Sequence, residues 1–250
     1  MLEKGKKQKW LTWGISILLI VGLLVGAAAV YLGDYYRADL PGIEAFTADL
    51  AVAEERLDDG TLVFGTGQER CGFIFYPGGK VEHTAYIPLL KLLASRGILC
   101  LLVEMPFRLA VLDGDAADGL PERYPSVAHW YMGGHSLGGS MAASYVAKHS
   151  EAFDGIVLLG AYSTADLSET DLGVLSIFGS EDRVMNRTKY DEYQNNLPSG
   201  FTEVEIKGGC HAYFGMYGEQ DGDGMPSLSA EEQIRLTSGY IANFVLKGGQ

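Results

Sequence analysis

Two hydrophobic rhythms divide the chain. From residue 10 to residue 32 it runs for 23 positions without a formal charge, and about 20 apolar residues suffice to span a ~30 Å hydrocarbon layer as a helix. Trp10, Trp13 and Tyr31 stand near the ends of that run, where aromatic rings favour the membrane interface. After a polar stretch at 34–49 the apolar positions come in short runs instead. Residues 51–57, 61–64, 72–76, 98–103, 130–132, 155–159, 174–178 and 202–206 read as strands. Helical spacing marks 86–95, 137–148, 187–196 and 230–246, the last opening on Ser229 with Glu232 three residues on, a capping box. Asp58-Asp59-Gly60 joins the first two strands as a hairpin turn, so the sheet begins antiparallel. Strand and helix then alternate, which predicts a mostly parallel sheet of about eight strands with helices on both faces.

Composition narrows the class. With 47% apolar and 20% charged residues the chain is globular, and a net charge of −13 repels phosphate backbones, which excludes nucleic acid as a partner. That charge is unevenly spread. Residues 1–32 hold four lysines against one glutamate, and the rest holds 15 basic against 31 acidic groups. The positive-inside rule then predicts a cytoplasmic N-terminus and everything after about residue 33 outside. Ala27-Ala28-Ala29 also resembles a signal cleavage site, in which case the remainder is secreted. The expected organisation is a basic tail at 1–9, a membrane span at 10–32, a connector at 33–50 and one α/β domain at 51–250. Three cysteines fit neither a disulfide framework nor a zinc set. Asp221-Gly222-Asp223-Gly224 lacks the ligand spacing of a calcium loop and reads as a solvated turn, so no metal or cofactor is expected.

The chemistry gathers after the strand at 130–132. Gly133-Gly134-His135-Ser136-Leu137-Gly138-Gly139 contains Gly-x-Ser-x-Gly between a strand and an alanine-rich helix. A serine held on so sharp a turn needs small neighbours two positions away on each side. Ser136 is therefore the candidate nucleophile, and the Leu137 N–H, at the helix N-terminus, is a candidate oxyanion donor. A serine needs a base, and of the five histidines only His211 lies downstream on a loop that follows a strand. The acid belongs on the loop after 174–178, where the Gly-x-x-Asp spacing favours Asp182 over Glu181. His135 is expected to pack in the turn and His149 to sit at the carbonyl end of its helix.

With these residues in place, the segment from about 51 to 246 resembles the α/β-hydrolase superfamily, and within it a small dienelactone-hydrolase-like branch of membrane-anchored bacterial members. The resemblance extends to Phe75-Tyr76-Pro77-Gly78-Gly79-Lys80-Val81-Glu82, to Met105-Pro106-Phe107-Arg108-Leu109-Ala110-Val111-Leu112 and to Gly208-Gly209-Cys210-His211-Ala212-Tyr213-Phe214-Gly215. It implies a second oxyanion donor at the Gly79 or Lys80 N–H. Larger members insert a cap between the sixth and seventh strands; here residues 161–173 are too few for one. Phe107, Tyr213 and Phe214, with Leu109, Met216 and Tyr217, are candidate walls of an open acyl pocket. The implied function is a membrane-anchored serine hydrolase of small or lipid-like acyl compounds. The alternatives are an acyltransferase using the same residues and a non-catalytic binding protein on the same fold.

Overall fold

In the turn at residues 58–60, the Thr61 N–H donates to Asp59 Oδ1 at 2.9 Å, which closes the hairpin between β1 (Glu54–Arg56) and β2 (Leu62–Phe64). This computed structural model describes residues 2–248. The chain forms two compact units, 1–35 and 36–250. The first is a single helix, α1 (Leu2–Gly33), which takes in both the basic tail and the apolar run. Its stretch Ser16–Gly33, with a mean hydropathy of 2.4, is long and apolar enough to cross a membrane.

The second unit is an eight-stranded sheet. After the hairpin come β3 (Cys71–Tyr76), β4 (Ile98–Leu102), β5 (His129–His135), β6 (Gly155–Leu159), β7 (Gly173–Gly179) and β8 (Thr202–Ile206). Their order in space is β1-β2-β4-β3-β5-β6-β7-β8. β2 meets β4 antiparallel, and every pairing from β4 onward is parallel. Every residue of β3, β4 and β6 is buried, as strands covered on both faces must be. Alternate residues of β3 point to opposite faces: Phe73 and Phe75 join the core under α3 (Ile87–Ala94) and α6 (Ala230–Gly248), and Ile74 and Tyr76 the core under α4 (Leu137–Lys148). α6 opens with the expected capping box, Ser229 N–H to Glu232 Oε2 at 2.8 Å and Glu232 N–H to Ser229 Oγ at 3.2 Å. β8 is the far edge of the sheet. Its Thr202, Glu203 and Glu205 are exposed, and Glu205 pairs with Lys207.

The polar stretch read as a connector is built into the sheet unit. Tyr36 forms a parallel bridge to Val81, with its N–H on the Lys80 carbonyl at 2.8 Å and its carbonyl accepting from the Glu82 N–H at 2.9 Å. The Asp39 N–H then reaches the Met216 carbonyl at 2.9 Å, and Asp39 caps α2 (Leu40–Thr47), which buries Ile43 and Thr47. Between β6 and β7 there is no helix, only turns at 160–172.

Backbone packs closely where β5 passes into α4. A Cβ on Gly134 would lie 2.6 Å from the Gly138 carbonyl carbon, and one on Gly138 would overlap the carbonyl oxygens of Tyr76 and Pro77. Backbone cannot yield as a flexible side chain does. Gly138→Ala is therefore expected to cost about 3 kcal/mol, at the upper end of overpacking effects, read as a lower denaturant midpoint with an unchanged slope.

Candidate active site

Ser136 lies between the last residue of β5 and the first of α4 with φ +52° and ψ −122°. For a residue with a side chain this conformation costs on the order of 1–3 kcal/mol, which the surrounding structure must hold in place. One restraint is explicit: the Ser136 N–H donates to the Leu159 carbonyl at the end of β6, at 2.9 Å. The N–H groups of the first α4 turn, Leu137 included, have no partner within their helix.

Facing that helix end is the loop after β3. The Gly78 N–H donates to the Tyr86 hydroxyl at 3.1 Å, and the Lys80 N–H to the Arg108 carbonyl at 2.9 Å. Between them, the Gly79 N–H has no such partner among the described residues, and a Cβ on Gly79 would touch the Leu137 side chain at 2.8 Å. Of the two sequence candidates for a second donor, Lys80 is thus already engaged and Gly79 lies against Leu137.

The loop after β7 carries Asp182. Its Oδ1 accepts from the Val184 and Met185 N–H groups at 3.0 and 2.9 Å, and its Oδ2 lies 2.8 Å from His211 Nδ1. Both side chains are 1% exposed. Glu181 instead accepts from the Ser180 hydroxyl at 3.1 Å. With the carboxylate on Nδ1, the remaining nitrogen of His211, Nε2, is the buried acceptor and has no hydrogen-bond partner among the described residues. Gly160, the residue after Leu159, fits against this pair; a Cβ there would lie 2.9 Å from His211 Nδ1 and 3.1 Å from Asp182 Oδ2. The tip of β6 therefore joins the serine turn to the histidine and its carboxylate.

The histidine loop is held by Gln233, which the sequence did not single out, and by Asp223, which it read as part of a solvated turn. Gln233 of α6 accepts from the Cys210 N–H at 2.9 Å and donates to the Cys210 carbonyl at 2.8 Å, fully buried. Asp223 is not a freely solvated turn residue. Its carboxylate takes the Ala212 N–H at 2.8 Å and the Arg183 N–H at 3.3 Å, tying the histidine loop to the aspartate loop. The Cys210 thiol between them is buried, which pushes its pKa up to about 12.

His135 does more than fill the turn. The Tyr86 hydroxyl accepts the Gly78 N–H and also lies within hydrogen-bond distance of His135 Nδ1, at 2.7 Å. The ring is buried 4.5 Å from that of His211, centre to centre. Burial first, and the neighbouring His211 second, hold its pKa well below the usual histidine range. His149 stacks on Tyr145 and His129 pairs with Asp154 at 3.1 Å.

The candidate walls separate. Phe107 is 60% exposed and Tyr213 half-buried, but Phe214, Met216 and Tyr217 are core residues, with Phe214 packed 5.5 Å from His135. A recess of about 110 Å³ opens beside the Pro77–Val81 turn, lined also by His83, Glu104, Phe107 and Arg108. Among the described residues no three His, Cys, Asp or Glu side chains are placed to hold a metal ion.

A sequence model described as the alpha/beta hydrolase family matches residues 72–235. Among solved structures, the chain is similar to a predicted CIB-like hydrolase from Thermoplasma acidophilum, at 19% identity over 77% of this chain and 99% of that one, with a TM-score of 0.53. It is similar also to a dienelactone hydrolase from Anabaena variabilis (15%, 78% and 99%, 0.56) and to Est1E from Butyrivibrio proteoclasticus (13%, 79% and 98%, 0.55). At these identities the likeness is one of fold. No curated protein matches the chain.

The buried neutral His135 ties stability to pH. The unfolded chain protonates this histidine below about pH 6.5 while the folded protein does not, so its contribution is complete above that value and lost as pH falls below it. His83, also depressed by burial, acts in the same direction. For His135 the unfolding free energy should drop by roughly 1 kcal/mol per pH unit below pH 6.5. His135→Gln should make the slope measured by denaturant titration at pH 7, 6 and 5 correspondingly shallower; an unchanged slope would contradict the assignment.

Proposed function

The chain belongs to the alpha/beta hydrolase family, and from that membership we propose that it is a serine hydrolase of esters or related acyl compounds, tethered to a membrane by α1. The observation that supports the reading is the buried His211–Asp182 pair, whose imidazole lies 4.5 Å, centre to centre, from that of His135, the residue before Ser136. Asp182 fixes the tautomer in which Nδ1 bears the proton and Nε2 accepts one. His211 takes the Ser136 hydroxyl proton as Oγ attacks the acyl carbon. The oxygen of the tetrahedral intermediate gains negative charge between the Leu137 and Gly79 N–H groups, where the amino end of α4 favours it. His211 then returns the proton to the departing alcohol, leaving an acyl group on Ser136. A water molecule, deprotonated by the same nitrogen, releases the acid and restores the serine.

The membrane part of the reading rests on the length and hydropathy of Ser16–Gly33 and on the four lysines ahead of it. The 15 basic against 31 acidic groups that follow suit the outer side.

Ser136→Ala should abolish labelling by a fluorophosphonate probe and reduce turnover of an accepted ester by about 10⁴-fold or more, the scale seen when a nucleophile is removed from such a set. Equal labelling of wild type and Ser136→Ala would remove the basis of the proposal.

A further inference from the structure

The first residue of the sheet unit is joined to the loop that carries Gly79. Tyr36 is paired to Lys80, Val81 and Glu82, directly after Gly79. Its ring packs on Tyr217 at 5.6 Å, its hydroxyl accepts from the Asp221 N–H at 3.1 Å, and Asp39 binds the Met216 carbonyl. The chain thus enters this unit between the loop that follows β3 and the loop that carries His211. Only Asp34 and Tyr35 separate Tyr36 from the end of the apolar helix at Gly33.

The loop after β4 belongs to the same edge, since its Arg108 carbonyl holds the Lys80 N–H. It presents Phe107, Val111 and Leu112 to solvent at 60%, 53% and 56% exposure within six residues. Large aliphatic side chains grouped like this at the rim of a site have lost the apolar contact that elsewhere buries them. Phe107 and Arg108 are moreover held at φ +51° and +62°, in the left-handed region.

We propose that this loop is a bilayer-docking surface: Val111 and Leu112 insert into the interface of the membrane that α1 spans, so that the edge bearing Ser136 and His211 takes acyl lipids directly from that membrane. The inference rests on reading α1 as a retained span and the site as a hydrolase. A two-residue tether keeps the loop at high effective concentration beside the lipid, so a small apolar contact suffices to hold it there. The excess of acidic groups after residue 33 fits neutral rather than anionic headgroups.

The test uses the full chain reconstituted in phosphatidylcholine vesicles. Val111→Cys, Leu112→Cys and, on the opposite edge before β8, Ser199→Cys are each labelled with an environment-sensitive fluorophore. The native Cys71, Cys100 and Cys210 are buried and leave the added thiol as the accessible one. Labels at 111 and 112 should be quenched by spin-labelled lipid and the label at 199 should not. No quenching at 111 and 112 in chains that retain α1, or a blue shift without lipid quenching, the signature of contact with a second copy, would overturn the proposal. Val111→Asp with Leu112→Asp should lower hydrolysis of a vesicle-borne ester by about tenfold, given the apolar burial that two aliphatic side chains lose, while a soluble short ester is turned over as before. An equal fall on both esters would also overturn it. Failure of the catalytic reading is a separate result: Ser136→Ala would keep both the quenching and the ester turnover.

Discussion

The site depends on how closely a strand and a helix can pass. Gly134 and Gly138 let β5 and α4 meet with no Cβ between them, and Gly138 rests on the Tyr76 and Pro77 carbonyls. Two things follow from that single contact. Ser136 is forced into a positive-φ turn at the tip of the sheet, and the amino end of α4 is pressed against the loop after β3, Leu137 on Gly79. Any side chain at the crossing would separate Ser136 from both candidate donors at once.

Charge management inside the site is as constrained as its packing. Two imidazoles lie 4.5 Å apart, and a proton on His135 would oppose one on His211 by about 4 kcal/mol at an effective dielectric of 20. In the proposed mechanism His211 takes up a proton during turnover, and a charged neighbour would oppose it. Burial keeps His135 neutral, and one Tyr86 hydroxyl contacts its Nδ1 and satisfies the Gly78 N–H. Tyr86 thereby links the loop after β3 to the residue preceding Ser136.

Much of this was legible where the signal was local. All eight strands fall within three residues of their sequence positions at either end, and the central ones, parallel and buried on both faces, do so because they leave short uninterrupted apolar runs. The hairpin turn at 58–60 and the Ser229–Glu232 cap were readable because their partners are two or three residues away. What escaped reading is what joins distant residues. α2 looked like solvated connector because its reason to form, the pairing of Tyr36 with Val81 and of Asp39 with Met216, spans 45 and 177 positions. Tyr86 and His135 are 49 apart, and Gln233 and Cys210 are 23 apart. Phe214 read as a pocket wall because an aromatic residue beside a loop histidine looks the same whether it faces inward or out; the structure buries it.

The exposed far edge of the sheet bears on how such a chain behaves in company. Proteins confined to a surface collide in two dimensions, and an open row of N–H and C=O groups invites one sheet to continue into the next. At β8 a neighbour would have to lay its backbone along Glu203 and Glu205, two like charges that its own β8 would repeat. If α1 holds the chain at a membrane, as proposed, crowding there meets an electrostatic barrier at the strand where uncontrolled polymerisation would otherwise start.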